Sequence, residues 1–194
     1  MRNTISFLKR YWLLILVVLA GVLFIINKML GTETALPAMS PSPFSNKVAD
    51  YNSIQPGKSN VDEINNLLGF PVEQSAADGK ITAEYSSSNE FRNNIITIQN
   101  GVATLIREVV NTSDNKRAQD IINEFGQAPY RLYKQKANEY FDLYVYPANG
   151  IAYLGHEDGT LLEIWYFEST TIENFVTKWA TDYSIQKYNG RSQY

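Results

Sequence analysis

The sequence predicts an α+β protein: an N-terminal transmembrane helix, then two tandem units, each one helix plus a four-stranded antiparallel sheet, and a C-terminal helix. Three observations carry this prediction. Tyr11 to Ile26 hold no charged or strongly polar side chain. Behind them, a short amphipathic stripe gives way to alternating runs punctuated by Asn-Gly and Asp-Gly pairs. The same order then recurs at a constant offset: Pro71 to Pro129 and Gly101 to Gly159 both span 58 positions, and Gly69 to Gly126 spans 57.

Residues 1–30 read as a cytoplasmic tip and membrane anchor, with residues 11–27 in the bilayer. Sixteen helical residues rise about 24 Å, somewhat short of the hydrocarbon slab, and Met29, Leu30 and snorkelling Lys9, Arg10 and Lys28 extend the reach. The run is longer than a signal-peptide core and no Ala-x-Ala follows it, which favours an uncleaved anchor over a removed leader. Arg2, Lys9 and Arg10 precede the span and only Lys28 follows closely, so the N-terminus is expected in the cytoplasm and the rest outside it. Residues 31–47, rich in Pro, Ser, Thr and Ala, read as a tether.

The first unit is expected over 48–111. Pro56-Gly57 makes a turn, Ser59 or Asn60 caps a helix with Asp62 or Glu63 in capping-box position, and Val61, Ile64, Leu67 and Leu68 form its apolar stripe. Gly69 and Pro71 stop it. Strands are expected at 71–75, 81–85, 90–99 and 102–110, with Asn100-Gly101 as a type I′ hairpin turn. The second unit is expected over 112–185. Ser113 or Asp114 caps a helix carrying Ala118, Ile121, Ile122 and Phe125, and strands follow at 129–134, 139–146, 150–155 and 160–167. Thr170 and Glu173 form a capping box for a helix with Ile172, Phe175, Val176, Trp179 and Tyr183 on one face, before a tail at 186–194.

The run I-x-P-G-x-S-x-x-x-E-I-x-x-L-L-G-x-P, Ile54 to Pro71, resembles the opening motif of the small outer-membrane lipoprotein A (SmpA/OmlA) domain. The tandem order over roughly Lys47 to Phe167 is similar to the beta-lactamase inhibitory protein architecture. The resemblance implies a non-catalytic protein-binding module outside the membrane. Cysteines are absent, so neither the lipid anchor nor the disulfides of those families carry over.

Composition narrows the function further. Residues 31–194 hold all 20 acidic side chains against 13 of the 17 basic ones, a formal charge of −7, which disfavours nucleic acid and anionic headgroups as partners. Without Cys there is no thiol nucleophile, and the single His156 has no second His for a metal set. Asp62-Glu63 and Glu157-Asp158 are sequence neighbours that read as capping and turn residues. The overlapping Ser-Asp-Asn and Ser-x-x-Lys strings of Ser113–Lys116 read as capping, since penicillin-interacting enzymes keep them in separate segments. No catalytic residue, cofactor, metal or small-molecule substrate is predicted.

The richer signal is aromatic. In EYFDLYVY, alternation sends Phe141, Leu143 and Val145 to one face, expected against the helices, and Tyr140, Tyr144 and Tyr146 to the other, expected to be open. Trp165 is expected to join the tyrosines. Tyrosine and tryptophan give large contact area at low entropy cost, so Tyr140, Tyr144, Tyr146 and Trp165 are the expected protein-binding residues. The expected function is a membrane-anchored, extracytoplasmic protein-interaction module. The alternatives are a structural subunit of a cell-envelope or surface assembly and, last, an envelope hydrolase using His156.

Overall fold

A computed structural model of the chain describes residues 47–134, 141–156 and 158–187, all within the unit Pro41–Tyr194. The expected anchor and most of the tether lie outside the described residues. Among the described residues no helix is long and apolar enough to cross a membrane.

Helix α1, Val61–Leu68, starts where Asn60 accepts from the Glu63 amide at 3.0 Å while the Glu63 carboxylate accepts from the Asn60 amide at 3.1 Å. The two side chains thus satisfy donors that the first helical turn leaves over. Strands β1 (Glu73–Ala77), β2 (Lys80–Tyr85), β3 (Asn94–Gln99) and β4 (Val102–Val109) follow as an antiparallel meander. Asn100 and Gly101 both have positive φ, 53° and 77°, as a type I′ turn requires.

Helix α2, Ala118–Phe125, begins later than expected. Ser113 and Asp114 do not cap it: Thr112–Asp114 form a separate 3-10 turn, and the α2 N-cap is Arg117, whose amide donates to Asp120. Both helices end alike, Gly69 at φ 80°, ψ −165° and Gly126 at φ 81°, ψ −169°, each amide bonding four residues back. Strands β5 (Tyr130–Lys134), β6 (Asp142–Tyr146), β7 (Ile151–Gly155) and β8 (Leu161–Phe167) form a second meander. Helix α3, Ile172–Trp179, is capped by Thr171, which accepts from the Asn174 amide, rather than by a Thr170–Glu173 box. The short β9, Tyr183–Ser184, closes the order.

The expectation of two separate four-stranded sheets is wrong. The described strands form one nine-stranded antiparallel sheet in the order β1-β2-β3-β4-β8-β7-β6-β5-β9, with β4 and β8 paired from Leu105↔Phe167 to Val109↔Glu163. The physical reason is at the join. In two isolated sheets, β4 and β8 would be edges, yet Leu105, Ile106, Ile164 and Phe167 are buried; pairing the two strands satisfies both ladders and covers those side chains.

Each face of the sheet has its own core. On one, α1 brings Ile64 to Ile96, Ile98 and Ile106, and α2 brings Ile121 and Phe125 to Tyr146, Tyr153 and Tyr166. Of the adjacent Ile95 and Ile96, it is Ile96 that is fully buried here. On the other face, α3 lays Ile172 and Phe175 over Leu143, Val145, Trp165 and Phe167. Full burial of each such aromatic or aliphatic side chain contributes about 1.5–3 kcal/mol.

Candidate functional site

The alternation expected for β6 is observed from Leu143 to Tyr146. Phe141, expected beside Leu143 and Val145, instead precedes the strand and meets the His156 ring. Both faces of β6 are covered. Leu143 and Val145 lie under α3, whereas Tyr144 and Tyr146 face α2. The tyrosine face is therefore no open sheet surface, and the four expected contact residues separate. Tyr140 lies outside the described residues. Tyr146 is 1% exposed; its ring meets Phe125 at 6.0 Å and its hydroxyl donates to the Gly126 carbonyl at 2.8 Å, pinning the end of α2 to the sheet.

Trp165 is 4% exposed and on the opposite face from the tyrosines, because its register partner is Ala152, which itself pairs with Val145. Unbroken alternation along β8 would place Leu161, Glu163 and Trp165 on one face. A register shift between Leu154 and Gly155 instead puts Leu161 in the tyrosine-side core, while Glu163 stays beside Trp165.

Tyr144 alone of the described set reaches solvent, and the structure builds a groove around it. Arg131, Tyr144 and Tyr153 are register partners across β5, β6 and β7. The two phenol rings stack at 4.7 Å and 13°, and the Arg131 guanidinium lies 5.4 Å from the Tyr144 ring, held there by Asp142 at 2.7 Å. One wall is α2 with the residues flanking it, presenting Arg117, Gln119 and Gln127; the other is the turn His156–Thr160. The groove measures about 690 Å³.

Hydrogen bonds link His156, Asp158 and Thr160. His156 donates its amide to the Thr160 carbonyl at 2.9 Å, and Asp158 accepts from the Thr160 amide at 2.8 Å. That backbone bond, with smaller contributions from the Thr160 and His156 side chains, holds the Asp158 carboxyl below the usual carboxylate range. His156 Nδ1 sits 3.2 Å from Asp158 Oδ1 and its ring meets Phe141 edge-on at 5.9 Å. Burial, reinforced by Tyr144, pushes the Tyr153 phenol up to about 12, so it stays neutral at physiological pH. The half-buried Tyr144, backed by the buried Tyr153 and with amide and guanidinium groups at the rim, suits a polypeptide, offering aromatic contact and hydrogen bonds together. Among the described residues no cluster of His, Cys, Asp or Glu is placed to hold a metal ion.

The strings weighed for catalysis are structural. Asp114 accepts from the Asn111 amide and the Ser88 hydroxyl, and Lys116 pairs with Glu108, which also receives the Tyr166 hydroxyl at 2.9 Å. Tyr153, Arg117 and Gln119 escaped the sequence reading: only the β6–β7 register and the seat of α2 bring them to Tyr144.

No family model matches the sequence, and no curated protein matches it. Solved structures do. A DUF4309 family protein, YjgB from Bacillus subtilis subsp. subtilis str. 168, shares 11% identity at a TM-score of 0.45, over 63% of this chain and 88% of that one. A cysteine-rich secretory protein from Staphylococcus aureus subsp. aureus Mu50 shares 14% at 0.36, over 64% and 51%. An extracellular protein containing a SCP domain from Bacillus anthracis str. Ames shares 10% at 0.40, over 68% and 51%. The chain thus spans about half the length of the last two. At these identities and scores the neighbours assign this chain no activity.

Proposed function

We propose that this chain is a membrane-tethered, extracytoplasmic binding module, without catalysis of its own, that engages a protein partner through the groove at Tyr144. The observation that carries the reading is the Tyr144 ring, stacked on the buried Tyr153 and reaching an open groove with Arg117, Gln119 and Gln127 at its rim. Apolar residues 11–27, followed by the Pro- and Ser-rich tether, supply the membrane attachment, and the positive residues ahead of them set its orientation.

Photo-crosslinking in the native cell tests this. A reactive side chain at position 144 is expected to capture one discrete envelope protein that the same group at position 178, on α3, does not. Equal capture from both positions, or capture of nothing but the chain itself, overturns the groove as a protein-binding site.

A further inference from the structure

Strand β1 ends the sheet, and its sequence, EQSAA, lacks what usually protects an edge. It has no Lys, no Pro and no bulge, and all five residues are exposed. The opposite edge, β9, is two residues long. Among the described residues no strand pairs with the outer side of β1. Phe70 and Val72, 86% and 60% exposed, lie just ahead of it, an apolar pair that the fold leaves uncovered.

We propose that β1 is a self-association edge, pairing antiparallel with β1 of a second copy about a two-fold axis at Ser75. The occupant follows from the strand's own register. Centred on Ser75, the pairing sets Glu73 opposite Ala77 and Gln74 opposite Ala76, so no like charges meet and the only charged side chain of the strand faces a methyl group. Within one copy, Glu73 is the cross-strand neighbour of Glu84, a repulsive pair, whereas Lys80 is the neighbour of Ala77 on the same face. In the dimer, Lys80 of the second copy lies two strand spacings from Glu73, about 10 Å between backbones, with only an Ala between them. Each acidic end therefore meets a basic end, twice. A β1–β1 junction also makes an eighteen-stranded continuous sheet from the nine strands of each copy. This surface is separate from the Tyr144 groove, which lies on the α2 half of the molecule.

The chain has no cysteine, so one introduced thiol reports cleanly. The full-length Ser75→Cys variant, in membranes of expressing cells, is treated with an oxidant and, in parallel, with a short bis-maleimide, which bridges strand pairs unsuited to a disulfide. A band near twice 22.0 kDa is expected for Ser75→Cys and not for Glu173→Cys on the outer side of α3. Ser75→Lys, which sets two ammonium groups face to face, is expected to weaken the dimer about fivefold in detergent sedimentation. Its unfolding transition checks that the exposed substitution leaves the fold intact. A monomer band with both reagents, equal bands from positions 75 and 173, or a Ser75→Lys dimer as tight as the parent overturns the proposal.

Discussion

Glu163 and Trp165 lie two residues apart on β8 and point the same way, and the indole Nε1–H donates to the Glu163 carboxylate at 2.8 Å. Arg107, from the neighbouring strand β4, forks onto the same carboxylate and stacks its guanidinium 4.9 Å from the Trp165 ring, while Arg92 reaches it from the β2–β3 connection. A carboxylate that is 2% exposed is thus held from both halves of the sheet.

Removing that carboxylate leaves the indole N–H and two guanidinium groups short of a partner. The arginines are partly exposed, 34% and 46%, and water compensates them in part. Glu163→Ala is therefore expected to cost about 2–3 kcal/mol, below the full penalty for breaking a buried pair. Guanidinium denaturation of the variant measures it; a change under about 0.5 kcal/mol would place the cluster among ordinary surface pairs.

Acid stability follows from the same group. Burial alone would raise the Glu163 carboxyl, but the Arg107 charge and the bonds from Trp165, Arg107 and Arg92 outweigh it and hold the group below its usual 4.5. Because the folded value is depressed, the stabilisation is present above 4.5 and is lost as pH falls through the lower folded value. Denaturation midpoints below pH 4.5 are expected to drop more steeply for the parent than for Glu163→Gln.

At the other end of the scale, burial raises the phenols of Tyr146, Tyr153 and Tyr166, Tyr153 to about 12. A raised folded value means stability present below the unfolded value of 10.0 and lost as pH rises past it. Tyrosinate absorbance is expected to show Tyr146, Tyr153 and Tyr166 ionising only well above pH 10 in the native protein, together with unfolding.

Glycines at two turns of positive φ should respond differently to alanine. A Cβ on Gly150, at φ 67°, falls 2.3 Å from the Phe167 carbonyl oxygen, so Gly150→Ala is expected to cost about 3 kcal/mol or more. Gly159, at φ 90°, has open space around it, and Gly159→Ala is expected to cost about 1–2 kcal/mol from backbone strain alone. Thermal unfolding of both variants compares them directly.

Tyr144 and Tyr146 share a face but not a role. Tyr146→Ala removes a buried ring and an α2 clamp and is expected to destabilise by about 3–5 kcal/mol. Tyr144→Ala, in the half-exposed groove, is expected to cost about 1–2 kcal/mol while abolishing partner capture. Denaturation and crosslinking on the two variants separate the effects.

Much of the local structure is legible from residues a few positions apart. The Asn60–Glu63 box and the glycines that stop α1 and α2 are short-range hydrogen-bond and backbone requirements, and the two-residue period of β6 separates Leu143 and Val145 from Tyr144 and Tyr146. Alternation distinguishes two faces of a strand without saying which is covered. For β6 both are, because α2 packs on one side and a helix from the far end of the chain on the other, and this is what buried Tyr146. Trp165 lies opposite the tyrosines for a related reason: its face is set by pairing with Ala152 across β7, a register that nothing in TLLEIWYF specifies.

By itself, then, the sequence determined the helix stops, the turns, the alternating strands, the acidic surface and the apolar N-terminal run, all properties of neighbouring residues. Only the tertiary structure decided that β4 and β8 join the strands into one sheet, that the tyrosine face lies under α2, and that a groove survives at Tyr144. Those outcomes depend on which distant segments bury each other's apolar faces and satisfy each other's strand edges, a choice made by the whole chain at once.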